Sequence, residues 1–471
     1  MTHHRSRHLL RWKFMEKLKK SLIDKEVTKV KTAEGYITLR GLFVPFFIEQ
    51  ILANLMGTIN TLILGRFSDD AVAAVGAANQ VLGFIYTFYA VICGGASVII
   101  SHRLGEGNEK EAKDVAFVSV IFTAAFSMGV SIILALFGSN IMGFLNLEGD
   151  TLKMSVDYFK IVALASVLQG VISAISAVLR SYGLTKPAVF ASLLMNALNA
   201  LFCYIVVMRP FETPFYGVTG VAFANTLARV IALIVIMVQL QKGKAAISVK
   251  GKRISDFKCL SSILKIGIPG GVSNLSYSFS QIVSTSILAI VGTMAISAKI
   301  YISSIVFYVY VVGYSLGMSS SILMGWMTGA KEFDKAERLN KMLLKITVIL
   351  NPSLSAIIFF FHKPLLSLFT SNPEIIAMGA SVFFIDIFVE FGRAFNHIED
   401  YSLRGTGDVL VPMLVNMSSC WFMSILFSYI LGVHFKMGLN GCWIAFMMDE
   451  CCRGLILFVR FKSGKWKLKN V

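Results

Sequence analysis

The chain has 471 residues, 56% of them apolar and only 15% charged, with a formal net charge of +17. Apolar stretches of about 20 to 30 residues recur from about residue 39 to 462, each long enough to cross a hydrocarbon core of about 30 Å as a helix. A soluble protein of this size has no interior to hold so much apolar surface, which excludes a water-soluble enzyme. The basic charge sits in short connections and tails, so it argues for membrane topology and against a nucleic-acid partner.

Residues 1–38 read as a basic cytoplasmic tail, with ten Lys and Arg between Arg5 and Lys31. Within it, 8–24 carries Leu9, Trp12, Met15, Leu18 and Leu22 at near-helical spacing. That pattern suits either contact with an anionic membrane surface or a solvated extension that fixes topology. No cleavable leader is evident ahead of the first apolar span. Twelve spans follow, at roughly 39–64, 72–101, 113–138, 156–181, 187–208, 216–240, 260–289, 294–328, 339–361, 375–404, 408–432 and 438–461. Lys and Arg cluster in the N-terminal tail, after span 2 (Arg103, Lys110, Lys113), after span 6, after span 8 (Lys331, Lys335, Arg338, Lys341) and from Arg460 onward. The alternate connections are poor in them. Both termini are therefore expected in the cytoplasm, with an even number of spans. A multi-pass protein of the cell's inner membrane, in contact with membrane lipid, is expected.

Span 1 contains Pro45, placed either to kink the helix or near its start. It also holds Glu49, the only acid well inside the first five spans, which serves either as cytoplasmic-side glue or as a gate. His102 and Arg103 end span 2 as anchors, and Arg180 ends span 4. The stretch 241–258, QKGKAAISVKGKRISDFK, is a basic cytoplasmic linker. Span 7 contains Pro269 and shows Ser273, Tyr277, Ser280 and Ser284 on one face, a polar lining or simply close packing.

Span 10 carries the densest chemistry. Asp386, Glu390, Arg393, His397, Asp400 and Arg404 fall within an arc of about 80° at 100° per residue. Phe384, Phe388, Phe391 and Phe395 fall on the other side. A charge at mid-bilayer costs on the order of 3 kcal/mol, so the charged stripe must face the protein interior or a water-filled cavity. Two readings stand: ion pairs such as Glu390 with Arg393 and Asp400 with Arg404, or a proton or cation site at Glu390, Asp386 and His397. In span 12, Asp449 and Arg453 are spaced for a pair, with Glu450 displaced by about 100°.

The two halves repeat. An offset of 224 carries Pro45, Ile63, Leu64, Ala74, Gly105 and Ala112 onto Pro269, Ile287, Leu288, Ala298, Gly329 and Ala336. It also carries Leu179, Arg180 and Gly183 onto Leu403, Arg404 and Gly407. Matching runs in separate segments mark a transporter built from repeats. The expected fold is all-α, with twelve transmembrane helices in two parallel six-helix repeats related by a pseudo-two-fold axis along the membrane normal. The domains are a tail (1–38), a six-helix bundle (39–240), the linker (241–258), a second bundle (259–462) and a short tail (463–471). No P-loop, GxSxG or HExxH is present, and the seven cysteines follow no zinc or disulfide pattern.

Four segments carry a family resemblance: VPFFIEQILANLMGTINTLILGRFSDDAVAAVGAANQ (44–80), GIPGGVSNLSYSFSQ (267–281), FGRAFNHIEDYSLRGTGDVLVP (391–412) and MMDECCRG (447–454). Over about residues 38–466 the chain resembles the multidrug and toxic compound extrusion (MATE) family, of the multidrug/oligosaccharidyl-lipid/polysaccharide exporter superfamily. The resemblance implies a monomeric, V-shaped pair of bundles around a central cavity. It implies secondary-active export of small organic compounds, often cationic or amphipathic, by H⁺ or Na⁺ antiport without a bound cofactor or metal. Family members usually carry Asp where Asn60 stands, many carry Asp at the position of Cys203, and Ser273 replaces a frequent Glu. Asn196 and Asn199 match the family's asparagines. An amide ligates Na⁺ but does not exchange a proton near neutral pH. Ion coupling is therefore assigned to Glu390, Asp386, His397 and Asp449. The substrate cavity is assigned to Asn60, Asn196, Asn199, Ser273, Tyr277, Ser280 and Arg393, and gate or structural roles to Glu49, Pro45, Arg180 and Arg404. The alternatives are a lipid-linked glycan flippase of the same superfamily, which would want a strongly cationic cavity, and an uncoupled facilitator. A membrane-embedded enzyme or a non-transporting receptor would differ in class.

Overall fold

The computed structural model describes residues 24, 26–32, 35–145, 147–208, 216–242, 245, 259–469 and 471. The tail segment 8–24, apart from Asp24, and the linker 241–258, apart from Gln241, Lys242 and Ala245, lie outside the described residues. Fourteen α-helices are present among those described. They are α1 (Leu39–Gly65), α2 (Asp69–Gly105), α3 (Glu109–Gly143), α4 (Gly149–Leu164), α5 (Ser166–Ser181), α6 (Thr185–Met208) and α7 (Gly217–Lys242). Then come α8 (Cys259–Val291), α9 (Thr293–Gly329), α10 (Phe333–Phe360), α11 (His362–Ser367), α12 (Pro373–Gly405), α13 (Leu410–Ser419) and α14 (Gly438–Lys462). After α13 the helix continues in widened π turns over Cys420–Ile425 and Ser428–His434.

Nine helices among the described residues are long and apolar enough to cross a membrane, counting Leu410–His434 as one, and ten if α4 and α5 form a single span bent by 44°. The two other long helices fall short of that composition for identifiable reasons. The middle of α14 contains Asp449, Glu450 and Arg453, and α8 is loaded with serines, Asn274 and Gln281. Both compositions make sense only where the polar face is covered by protein or lines a cavity.

One departure from an all-helical chain precedes α1. Lys29–Thr32 (β1) and Gly35–Thr38 (β2) pair antiparallel. The alternation is that of a half-buried hairpin: Val30 and Ile37 are buried while Lys29, Lys31 and Tyr36 are exposed.

Local signals set the helix ends. The Ser68 hydroxyl accepts from the Ala71 amide at 3.0 Å to start α2, and Asn372 caps α12 just ahead of Pro373. Pro45 and Pro269 both lie inside their helices, α1 and α8.

The chain packs as two compact units. One is Val44–Leu275; the other is Ser276–Asn470 together with the described residues that precede Val44. The boundary falls inside α8. The core of the first unit gathers Leu82, Leu134, Tyr158, Phe159 and Val162 from α2, α3 and α4. In the second, Leu288, Ile302, Val382, Phe383 and Trp443 join α8, α9, α12 and α14. α12 is central there and packs on α9, α10 and α14.

Candidate functional site

The amphipathic pattern of α12 decides what it presents. Phe384, Phe388 and Phe391 are about half exposed, the surface a lipid-facing wall needs, whereas Asp386, Glu390, Glu399 and Asp400 are buried. Buried charge demands partners, and in this unit they come from α10 and α14.

α14 approaches closely because glycines stand at the crossing. A Cβ on Gly392 would meet the Cys451 nitrogen at 2.6 Å, and one on Gly454 would meet the Gly392 carbonyl oxygen at 2.9 Å. With both side chains reduced to hydrogen, the backbones come close enough for charged groups of the two helices to interlock. Arg393 pairs with Glu390 on its own helix and reaches Glu450 Oε1 at 3.4 Å. Arg453 pairs with Asp449 at 2.5 Å and with Glu450 at 3.3 Å. Neutral donors fill the remaining lone pairs: Asn396 Nδ2 to Glu450 at 2.7 Å, Ser419 Oγ to Asp449 at 2.7 Å and Asn351 Nδ2 to Glu390 at 2.9 Å. Near the end of α12, Arg404 pairs with Asp400 at 2.9 Å, and Asp400 also accepts from Asn416.

Asp386 stands apart. Its oxygens accept from Ser355 Oγ at 2.9 Å and Trp443 Nε1 at 3.1 Å, and no cation lies within ion-pair distance among the described residues. His397 is packed edge-on against Tyr310, ring centroids 5.1 Å apart, and its Nδ1 has no hydrogen-bond partner among the described residues.

A cavity of about 250 Å³ opens within this unit. Its walls include Tyr277, Lys299, Tyr310, Asp386, Arg393, Trp443, Asp449, Glu450 and Arg453. Of the residues assigned to ion coupling, Asp386 and Asp449 line it; Glu390, fully buried behind Arg393, and His397 do not. Of those assigned to the substrate cavity, Tyr277 and Arg393 line it. Ser280 is buried in the same unit, donating to the Tyr277 carbonyl.

The remaining assigned residues belong to the first unit. There Asn60 Nδ2 donates to Asn199 Oδ1 at 2.7 Å, Asn196 donates to the Ser192 carbonyl, and Ser273 is buried. Glu49 and Arg180 form an ion pair at 2.6 Å across 131 residues of sequence. Arg229, buried, donates to the Tyr86 hydroxyl at 2.8 Å.

Several functional candidates escaped the sequence reading. Lys299, a single Lys five residues inside an apolar span, was findable because so costly a residue rarely sits there without a role. Glu399 was findable on the same ground: it is fully buried on α12 and accepts from Asn340 at 3.1 Å. Trp443 and Tyr310 carried no signal beyond being aromatic.

The MatE family model matches residues 45–205 and 269–430. The chain is 34% identical over 455 residues to the Uncharacterized transporter YisQ of Bacillus subtilis, covering 96% of this chain and all of that one. It is 26% identical to the Probable multidrug resistance protein NorM of Thermotoga maritima, covering 96% and 97%. Among solved structures it resembles one described as the outward-facing conformation of a multidrug resistance MATE family transporter of the MOP superfamily. That match has a TM-score of 0.84 at 20% identity, over 92% of this chain and 96% of that one. A MOP superfamily transporter from Pyrococcus furiosus, described as having a binding pocket of reverse polarity, matches with a TM-score of 0.81 at 20% identity, over the same shares.

Proposed function

Because the chain belongs to the MatE family, as a secondary transporter and not an enzyme, we propose that it exports small organic compounds across the cell's inner membrane by alternating access, in exchange for H⁺ or Na⁺. The single observation that carries this reading is the cavity of the second unit, where carboxylates of α12 and α14 line a space between the helices. Such groups are retained in a membrane interior where they serve a pathway for ions or substrate.

Asp386 is the exchange centre in this reading. It lines the cavity, and only neutral donors hold it, so an entering proton or Na⁺ displaces no protein cation. Glu390 and Asp449 act through the arginines that face the same space, and His397 sets the packing around them. Asn60, Asn196 and Asn199 of the first unit contribute amide oxygens, which suits substrate or Na⁺ but not proton exchange. Glu49 with Arg180 joins α1 to α5, and Asp400, paired with Arg404 on its own helix, joins α12 to α13 through Asn416. Twelve spans in two six-helix repeats, with cytoplasmic termini and a monomeric working form, complete the proposal. The repeat is supported by family matches beginning at residues 45 and 269, the separation found from internal identities.

Uptake of a panel of fluorescent organic dyes into proteoliposomes, under an imposed pH or Na⁺ gradient, tests it. Gradient-driven accumulation of at least one dye is expected. Equilibration that ignores both gradients identifies an uncoupled facilitator, and no dye movement under any gradient contradicts the reading.

A further inference from the structure

The charges on the cavity wall balance: Lys299, Arg393 and Arg453 against Asp386, Asp449 and Glu450. Four of the six pair with one another, Arg393 with Glu450 and Arg453 with Asp449 and Glu450, and Arg393 is held in addition by Glu390, a seventh charge that lies behind the wall. Two are left over. Lys299 on α9 donates only to hydroxyls, Ser284 Oγ at 3.5 Å and Thr285 Oγ1 at 3.1 Å, and has no carboxylate within ion-pair distance among the described residues. Asp386 on α12 accepts from Ser355 and Trp443, and from no other side chain among the described residues. One cation and one anion without an ion-pair partner among the described residues thus line the same cavity, each hydrogen-bonded there by neutral groups.

Burying an unpaired charge is costly. A ligand bearing both signs removes that cost at both ends at once, whereas a simple organic cation would answer Asp386 and leave Lys299 opposed to it. We infer that the cavity of the second unit takes a small zwitterion, its ammonium on Asp386 and its carboxylate on Lys299. The Trp443, Phe307 and Tyr310 rings supply the apolar wall. Size agrees with this assignment. At about 250 Å³ the cavity lies below the 300–1,000 Å³ range of pockets for drug-sized ligands, which favours a compact, amino-acid-sized compound over a large planar one. The inference rests on the transporter reading above and names the substrate class of its cavity.

Calorimetric binding to the full-length protein in lipid nanodiscs tests it with three probes of one skeleton: phenylalanine (zwitterion), phenethylamine (cation) and 3-phenylpropionate (anion). At neutral pH phenylalanine is expected to bind at least tenfold more tightly than either of the others. Lys299→Met should bring phenylalanine down to the level of phenethylamine, and Lys299→Arg should restore the preference, which separates loss of charge from loss of fold. Asp386→Asn should bring phenylalanine down to the level of 3-phenylpropionate. Phenethylamine binding as tightly as phenylalanine overturns the inference, as does an unaltered phenylalanine affinity in Lys299→Met or no binding of any probe at millimolar concentration. No gradient is present in this assay. Dye export driven by an ion gradient, without zwitterion preference, would therefore remove the substrate class and leave the transporter reading standing. A zwitterion preference without ion-driven transport would do the reverse.

Discussion

Arg453→Met removes the cation that Asp449 and Glu450 share. In the structure Arg453 and Asp449 are 2.5 Å apart, with side chains 7% and 4% exposed. Glu450 still keeps Arg393 at 3.4 Å and Asn396 at 2.7 Å, but among the described residues Asp449 is left with the Ser419 hydroxyl alone. Removing one partner of a buried pair costs about 3–5 kcal/mol, because the other charge remains buried and uncompensated. Met fills nearly the same volume, so packing loss adds little. Removing the stranded charge as well should recover most of the loss, since Asn at 449 still accepts from Ser419. The Arg453→Met, Asp449→Asn double variant is expected within about 1–2 kcal/mol of the parent. Denaturant unfolding in detergent micelles reads both. A single variant within about 1 kcal/mol of the parent, or a double variant as unstable as the single, refutes the view that these charges are desolvated and mutually dependent.

Gly454→Val should cost about 1–3 kcal/mol or more, because its side chain would strike Phe395 and the Gly392 carbonyl and push α14 off α12; thermal unfolding together with lost probe binding in the cavity checks this. Glu49→Gln should cost only about 1–2 kcal/mol, since the Glu49–Arg180 pair is 14% and 20% exposed and water softens the loss. A loss matching that of Arg453→Met would contradict the difference in burial. Glu399→Gln should leave stability unchanged or raise it. Glu399 is fully buried, its Oε1 has no partner and no cation pairs with it among the described residues, so removing its charge removes a desolvation cost. A lower melting temperature for this variant would show that the charge is matched.

How much of this was legible beforehand depends on how local each signal is. The faces of α12 follow from helical periodicity: Phe384, Phe388 and Phe391 are half exposed on one side, and Asp386, Glu390 and Asp400 are buried on the other, with Glu399 the buried acid that periodicity does not assign. The Glu390–Arg393 and Asp400–Arg404 pairs are three and four residues apart and follow from the same geometry. Glu49 and Arg180 were each conspicuous, yet nothing local joins residues so far apart in sequence. Glu450 shows the limit most clearly. On α14 alone it is rotated away from Asp449, and its place between Arg393 and Arg453 depends on the approach that Gly392 and Gly454 permit. The break at Ala165 and the π turn over Cys420–Ile425 carry no proline or glycine at the break itself to announce them. The hairpin before α1 rests on a short alternation over KVKT and GYIT, which the surrounding basic composition hid.

The most direct test of exchange at α12 is ion flux measured alongside dye flux in the same proteoliposomes, for the parent chain and for Asp386→Asn and Glu390→Gln. Dye efflux from the parent is expected to draw H⁺ or Na⁺ inward. In Asp386→Asn that ion movement should vanish while the dye still equilibrates, and in Glu390→Gln it should weaken at least tenfold. Ion-coupled transport at the parent's strength in both variants, with unchanged dependence on the gradient, would contradict the account.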